Sequence, residues 1–174
     1  CAVQVPAKLE ANVPDPQMGG QGKTVEITYW RADWQASVDG RPDSLKQIYP
    51  NASIDHYPFE ANSLEKGSVA QIEMATRYSP ARALGKRRVG PRATPVEDLL
   101  ADGPGTLAPV PPGGAPSGSN AKGVKTTDGW SVVISRRLPN GLTPGGRTQV
   151  AFAVWEGAHN ETGARKMRTG WVPL

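Results

Sequence analysis

Residues 24–30 read TVEITYW, in which Val25, Ile27 and Tyr29 alternate with Thr24, Glu26 and Thr28. Period-two alternation of this kind marks a β-strand that turns one face to a core. The same pattern recurs in AVQV (2–5), WSVVISRRL (130–138) and TQVAFAVW (148–155). Asp-Gly at 128–129 favours the positive backbone angles of a tight hairpin turn, so KGVKTT (122–127) is expected to pair with 130–138. PNGLTPGG (139–146) is expected to join 130–138 to 148–155 as a longer hairpin loop. TYWRADWQ (28–35), read as a continuing strand, puts Trp30 and Trp34 on one face.

Two helices are expected. SVAQIEMATRY (68–78) spaces Val69 and Ile72 helically, and TPVEDLLADG (94–103) offers Thr94 as N-cap, Pro95 at the first helical position and Gly103 as a stop. Residues 35–66 and 109–120 read as long loops. The expectation is a mainly β fold, an antiparallel two-sheet sandwich with long loops and one or two short helices, forming a single domain over residues 1–174. The chain opens inside an apolar alternation, CAVQV, without an initiator methionine, which predicts that N-terminal strands of the domain are absent from this sequence.

Composition narrows the function. At 174 residues the chain suits one core, and Gly and Pro, about a fifth of the residues, predict ordered loops rather than disorder. The net charge of +4 is concentrated only in GKRRVGPR (85–92), read as a solvated loop or a docking site for an acidic redox partner. No aromatic-studded basic stripe accompanies it, so nucleic acid is not expected. One cysteine, Cys1, excludes an internal disulfide, a multi-thiolate zinc site, a cysteine-ligated iron–sulfur cluster and covalent c-type haem. No apolar run reaches the ~18 residues of a membrane span.

His56 and His159 have neither metal-site spacing nor a neighbouring nucleophile, and no catalytic triad can be argued. Trp30, Trp34 and Trp155 could form a flat platform for sugar rings, the alternative reading of a carbohydrate-binding β-sandwich module. Methionine ordinarily fills core gaps, which suits Met74 on its helix. Met18 differs, since it sits among Pro14, Pro16, Gly19, Gly20 and Gly22, outside any apolar periodicity, in a rigid loop suited to aiming one sulfur atom.

Four stretches, DPQMGGQGKTVEITYWRADWQ (15–35), VEDLLADGPGTLAPV (96–110), DGWSVVISRRL (128–138) and VAFAVWEGAHNETGARKMRTGWVPL (150–174), resemble in this order the haem b-binding γ subunits of the type II dimethyl sulfoxide reductase family of molybdoenzymes. That family includes ethylbenzene dehydrogenase, dimethyl sulfide dehydrogenase, chlorate reductase, selenate reductase and relatives of nitrite oxidoreductase. AVQVP (2–6) is similar to the family's strand before the methionine loop, and residues 36–93 lie outside the resemblance.

The resemblance implies one noncovalent haem b with Met18 and Lys166 as axial ligands and Met167 as a bystander. It also implies that Trp30 and Trp171 line the haem, and that Arg31 and Arg136 are candidates to pair with its propionates. Arg165, where the family usually has an apolar residue before the lysine, and the insertion at 36–66 depart from the pattern. His159, partnered by Met18 or His56, and Met74 stand as alternative ligands.

A lysine amine, with a reference pKa near ~10.4, binds iron only as the free base, so such a site has to be desolvated. A thioether is a soft donor that favours ferrous iron. Two filled axial positions imply electron transfer rather than substrate activation. The implied role is a non-catalytic electron-transfer subunit, bound to a molybdenum catalytic α subunit and an iron–sulfur β subunit. It would exchange electrons with a soluble cytochrome in the periplasm or an equivalent extracytoplasmic compartment.

Overall fold

The computed structural model describes residues 1–41, 49–51, 63–77, 92–110, 114 and 118–174. The chain forms two compact units, one made of residues 1–38 with 92–174 and the other of residues 39–91.

The first unit is built on a mixed-length antiparallel sheet. Its strands are β1 (Ala2–Pro6), β2 (Val25–Trp30), β3 (Val96–Ala101), β4 (Ala108–Pro109), β7 (Gln149–Val154), β8 (Met167–Arg168) and β9 (Val172–Pro173), in the spatial order β4-β3-β2-β1-β7-β8, with β9 also on β7. A second sheet is the hairpin of β5 (Asn120–Lys125) and β6 (Trp130–Ser135), closed by the turn in which Thr126 N–H donates to the Gly129 carbonyl at 2.9 Å. The mainly β, two-sheet expectation is met.

Register fixes the two faces of the large sheet. Ala2 lies across from Tyr29, Val25 from Ala101, Ile27 from Leu99, and Ala2 from Ala153, so these residues share one face. On it Ala2, Val25, Ile27, Leu99 and Ala101 form a buried apolar cluster. The opposite face carries Glu26, Thr28, Trp30 and Asp98 and is covered by the hairpin. Gly123 on β5 makes that packing possible: a Cβ there would stand 2.4 Å from Trp30 Cζ2. Gln35, 1% exposed, bridges the layers, its Oε1 accepting from Gly123 N–H at 2.8 Å and from Trp30 Nε1–H at 3.3 Å.

Three expectations need correction. Residues 94–103 are not a helix: β3 occupies 96–101, and Thr94 Oγ1 instead accepts from Val96 N–H at 3.3 Å in a turn. The apolar positions 96, 99 and 100 mimic helical spacing because β3 is covered on both faces, which removes the alternation of a one-sided strand. Asp98, the polar residue that broke the pattern, is satisfied by Thr28 Oγ1 at 2.9 Å and Ser119 N–H at 3.3 Å.

The 139–146 loop does not close a hairpin either. It carries the chain from the small sheet to the large one, where β7 pairs with β1, β8 and β9. Residues 28–35, finally, are not one strand. The chain leaves β2 after Trp30 and enters helix α1 (Ala32–Val38), where Asp33 in the first turn suits the positive helix end.

In the second unit the expected helix at 68–78 is present as α2 (Val69–Arg77), although Val69 and Ile72 are exposed while Gln71 is buried. His56 and the basic stretch 85–92, apart from Arg92, lie outside the described residues. Among the described residues no helix is long and apolar enough to cross a membrane.

Candidate functional site

Packed on the apolar cluster of the large sheet are Met18, Tyr29, Ala153, Trp155 and Trp171. The loop bearing Met18 is held there by four hydrogen bonds from different directions. Gly19 N–H donates to the Asp15 carbonyl at 2.8 Å, and Gly103 N–H to the Met18 carbonyl at 2.8 Å. Gln4 Nε2 donates to the Pro16 carbonyl at 3.1 Å, and Trp171 Nε1 to the Pro14 carbonyl at 2.7 Å. Met18 itself has φ +73°, a left-handed conformation that costs a non-glycine residue of order 1 kcal/mol and persists only where the surroundings enforce it. Gly19 follows at φ +82°, and a Cβ there would meet the Lys23 and Ala101 carbonyl oxygens at 2.6 and 2.9 Å. The methionine is thus fixed at the Val25/Ala101 end of the face.

Lys166 reaches the same face from the opposite edge. In the β7–β8 pairing Ala153 faces Arg168 and Val154 faces Met167. Alternation then puts Lys166, one residue earlier, on the side of Trp155, and Met167 on the other side of the sheet, where it is 66% exposed. Lys166 is half-buried, with Nζ 5.2 Å from the centre of the Trp155 ring and donating to the Gly163 carbonyl at 3.3 Å. Trp155 Nε1 donates to the same carbonyl at 3.1 Å, and its ring meets Tyr29 edge-on at 5.3 Å. Burial raises the Tyr29 phenol pKa above its ordinary value, a mark of how far this end of the face is withdrawn from water.

One thioether and one amine therefore flank a floor whose intervening strands present the small residues Ala2 and Ala153. A thioether and an amine are both donor types that a metalloporphyrin iron would accept, and here they border one apolar face. The Gly163 carbonyl can hold an amine N–H while leaving the lone pair of the free base for a metal. The donor set and its surroundings fit a haem. No cluster of three or more His, Cys, Asp or Glu side chains able to hold a metal occurs among the described residues.

Trp171 shares this face, but Trp30 and Arg136 do not join it. Trp30, 4% exposed, lies under the hairpin against Trp130 at 5.3 Å. Arg136 is on the same covered side, in an ion pair with Glu26; both side chains are about nine-tenths buried. Burial raises the Glu26 carboxyl pKa above its ordinary value, a shift the Arg136 charge only partly opposes. Arg31 stands near the Tyr29 end, where its charge acts on the phenol, but it is bound to Asp33 at 2.6 Å and lies 5.3 Å from the Trp34 ring, which Arg92 also approaches at 3.9 Å.

The Trp30, Trp34 and Trp155 platform is not formed, because Trp30 and Trp155 are on opposite faces and Trp34 is buried against Tyr29 at 5.6 Å. His159 is in an exposed 3₁₀ turn (Gly157–His159), and Met74 belongs to α2 in the second unit. A cleft of about 350 Å³ between α1 and the hairpin, lined by Gln35, Val38, Pro95, Lys122 and Val133, contains none of the predicted site residues.

Tyr29 and Trp155 also line this face, although the sequence suggests Trp155 only for a sugar platform and Tyr29 for no site. The period-two parity of TVEITYW already put Tyr29, not Trp30, on the face of Val25 and Ile27.

No family model matches the chain. Over 155 residues it is 26% identical to a Haloferax mediterranei protein named "Putative respiratory nitrate reductase heme subunit ORF7". The match takes in 86% of this chain and 51% of that protein, so the chain spans about half the length of the relative it is similar to.

Proposed function

We propose that this chain is a haem-binding electron-transfer subunit of a molybdenum-containing oxidoreductase, holding one noncovalent haem b between Met18 and Lys166. The observation that carries the reading is that these two donors share one apolar, aromatic-lined face of the large sheet while Met167 occupies the other. The name of the Haloferax relative, a heme subunit of a respiratory reductase, supports it independently.

In this reading Met18 offers a soft sulfur held by a strained, well-anchored loop, and Lys166 offers its free-base nitrogen with one N–H kept on the Gly163 carbonyl. Tyr29, Trp155 and Trp171 exclude water. Bound there, the haem supplies one-electron chemistry. Held by two protein donors, Met18 and Lys166, a haem would keep no coordination site for a substrate, and its work would be electron transfer.

The partners are a molybdenum catalytic α subunit, an iron–sulfur β subunit and a soluble cytochrome, in the periplasm or an equivalent extracytoplasmic space. The subunit type, that of the type II dimethyl sulfoxide reductase family, rests on the four stretches that resemble it.

Visible spectra of the oxidised and reduced protein, with pyridine extraction to type the haem, test the reading. A low-spin six-coordinate spectrum, lost in Lys166→Ala and in Met18→Ala but kept in Met167→Ala, is expected. A colourless protein that cannot be reconstituted, or a Lys166→Ala spectrum identical to the parent, overturns it.

A further inference from the structure

We infer that Arg168 is the residue that pairs with the haem's propionate carboxylates, an inference that rests on the haem reading above. The two arginines read from the sequence for that role already have carboxylate partners, Arg31 in Asp33 and Arg136 in Glu26. Arg168 forms no hydrogen bond or ion pair through its side chain with another described residue.

Its position in β8 is fixed by direct pairing with Ala153, a residue packed on the apolar cluster, so its side chain leaves the sheet on the Met18 face. It is two residues from Lys166, and the backbone around it is held by Phe152 and Thr169, which exchange hydrogen bonds at 2.9 and 3.0 Å. Arg168 is exposed, at the rim of the face rather than within it.

A rim position is where carboxylates belong, because an ionised carboxylate is costly to bury and a macrocycle seated on an apolar face keeps its charged edge toward water. Guanidinium matches carboxylate with two parallel N–H donors. The ligand chemistry assigned to Arg168 is therefore a pair of carboxylates on an otherwise apolar disc.

The test compares binding of ferric protohaem and of its propionate dimethyl ester by the full chain at low salt. Wild-type protein is expected to hold protohaem about tenfold more tightly than the ester. Arg168→Met should erase that preference by weakening protohaem alone, Arg168→Lys should restore part of it, and the low-spin spectrum should be unchanged throughout.

Equal affinity of wild type for the two haems overturns the inference even if no variant folds. So does an Arg168→Met variant that binds both haems as wild type does, or weakens both alike; in each of these cases the Met18–Lys166 reading stands. A wild-type chain that gives no low-spin complex with either haem overturns that reading and this inference together.

Discussion

Trp171, the residue before β9, donates its indole N–H to the Pro14 carbonyl at 2.7 Å and so ties the end of the large sheet to the Met18 loop across 157 residues of sequence. The ring also packs on the apolar cluster, so one side chain both covers the face and fixes the loop above it. Trp171→Phe keeps most of the packing and removes the donor, leaving a part-buried carbonyl without that partner. The expected cost is about 1 kcal/mol, read as a fall in melting temperature of about 2–4 °C. A weaker low-spin haem complex should accompany it, because the loop that presents the sulfur has lost one of its four anchors.

Gly19 and Gly22 separate backbone strain from steric conflict. Both have positive φ, +82° and +73°, but only at Gly19 does an added Cβ meet backbone oxygens, at 2.6 and 2.9 Å, while at Gly22 nothing lies within 4 Å. Gly22→Ala should cost about 1 kcal/mol. Gly19→Ala should cost several times more, since Lys23 and Ala101 present backbone that cannot turn aside. Chemical denaturation of the two variants side by side checks the difference; equal losses would mean that the loop relaxes around residue 19.

Much of this was legible in the sequence, and the failures have physical causes. The alternating stretches became strands because one-sided burial writes itself as period two, whereas the packing of Met18 on the apolar cluster left no periodic trace in its proline- and glycine-rich loop. The limits of the resemblance, 36–93, nearly coincide with the second compact unit, 39–91. Asp98 and Glu97 hid β3, since a strand covered on both sides can place acids wherever a partner such as Thr28 awaits them. The switch from strand to helix at Arg31 was invisible to periodicity, because residues four apart share a face in either structure. The buried partner of Arg136 was hidden for a different reason: Glu26 and Arg136 are 110 residues apart, and only the fold brings them together.

Gly123 sets the spacing between hairpin and sheet. Its Cβ position lies 2.4 Å from Trp30 Cζ2, and Trp30 is fixed by Gln35. Gly123→Ala should destabilise the protein by about 1–3 kcal/mol through overpacking and alter the near-ultraviolet signal of the Trp30–Trp130 pair. Trp30→Phe, which removes the blocking atoms, should make the same glycine substitution much less costly. A double-mutant cycle measures this coupling, and additive losses would show that the two residues do not limit one another.

The Glu26–Arg136 pair sets a pH dependence. Burial raises the Glu26 pKa in the folded protein above its ordinary 4.5, so the stability this carboxyl contributes is complete below that value and is lost as pH rises through the folded pKa. Glu26→Gln should flatten the part of the stability profile that falls from about pH 4.5 upward. Arg136→Met strands a buried carboxylate, with Arg136 no longer opposing its desolvation. The loss should reach about 3–5 kcal/mol at neutral pH and shrink toward pH 4, where the carboxyl takes up a proton. Replacing both residues by methionine removes both desolvated charges and should leave stability near that of the parent with no carboxyl titration at this site. Melting curves of the three variants from pH 4 to pH 8 decide the matter: if Arg136→Met loses the same stability at both ends, the guanidinium acts by packing its stem against the hairpin and not by holding the charge of Glu26.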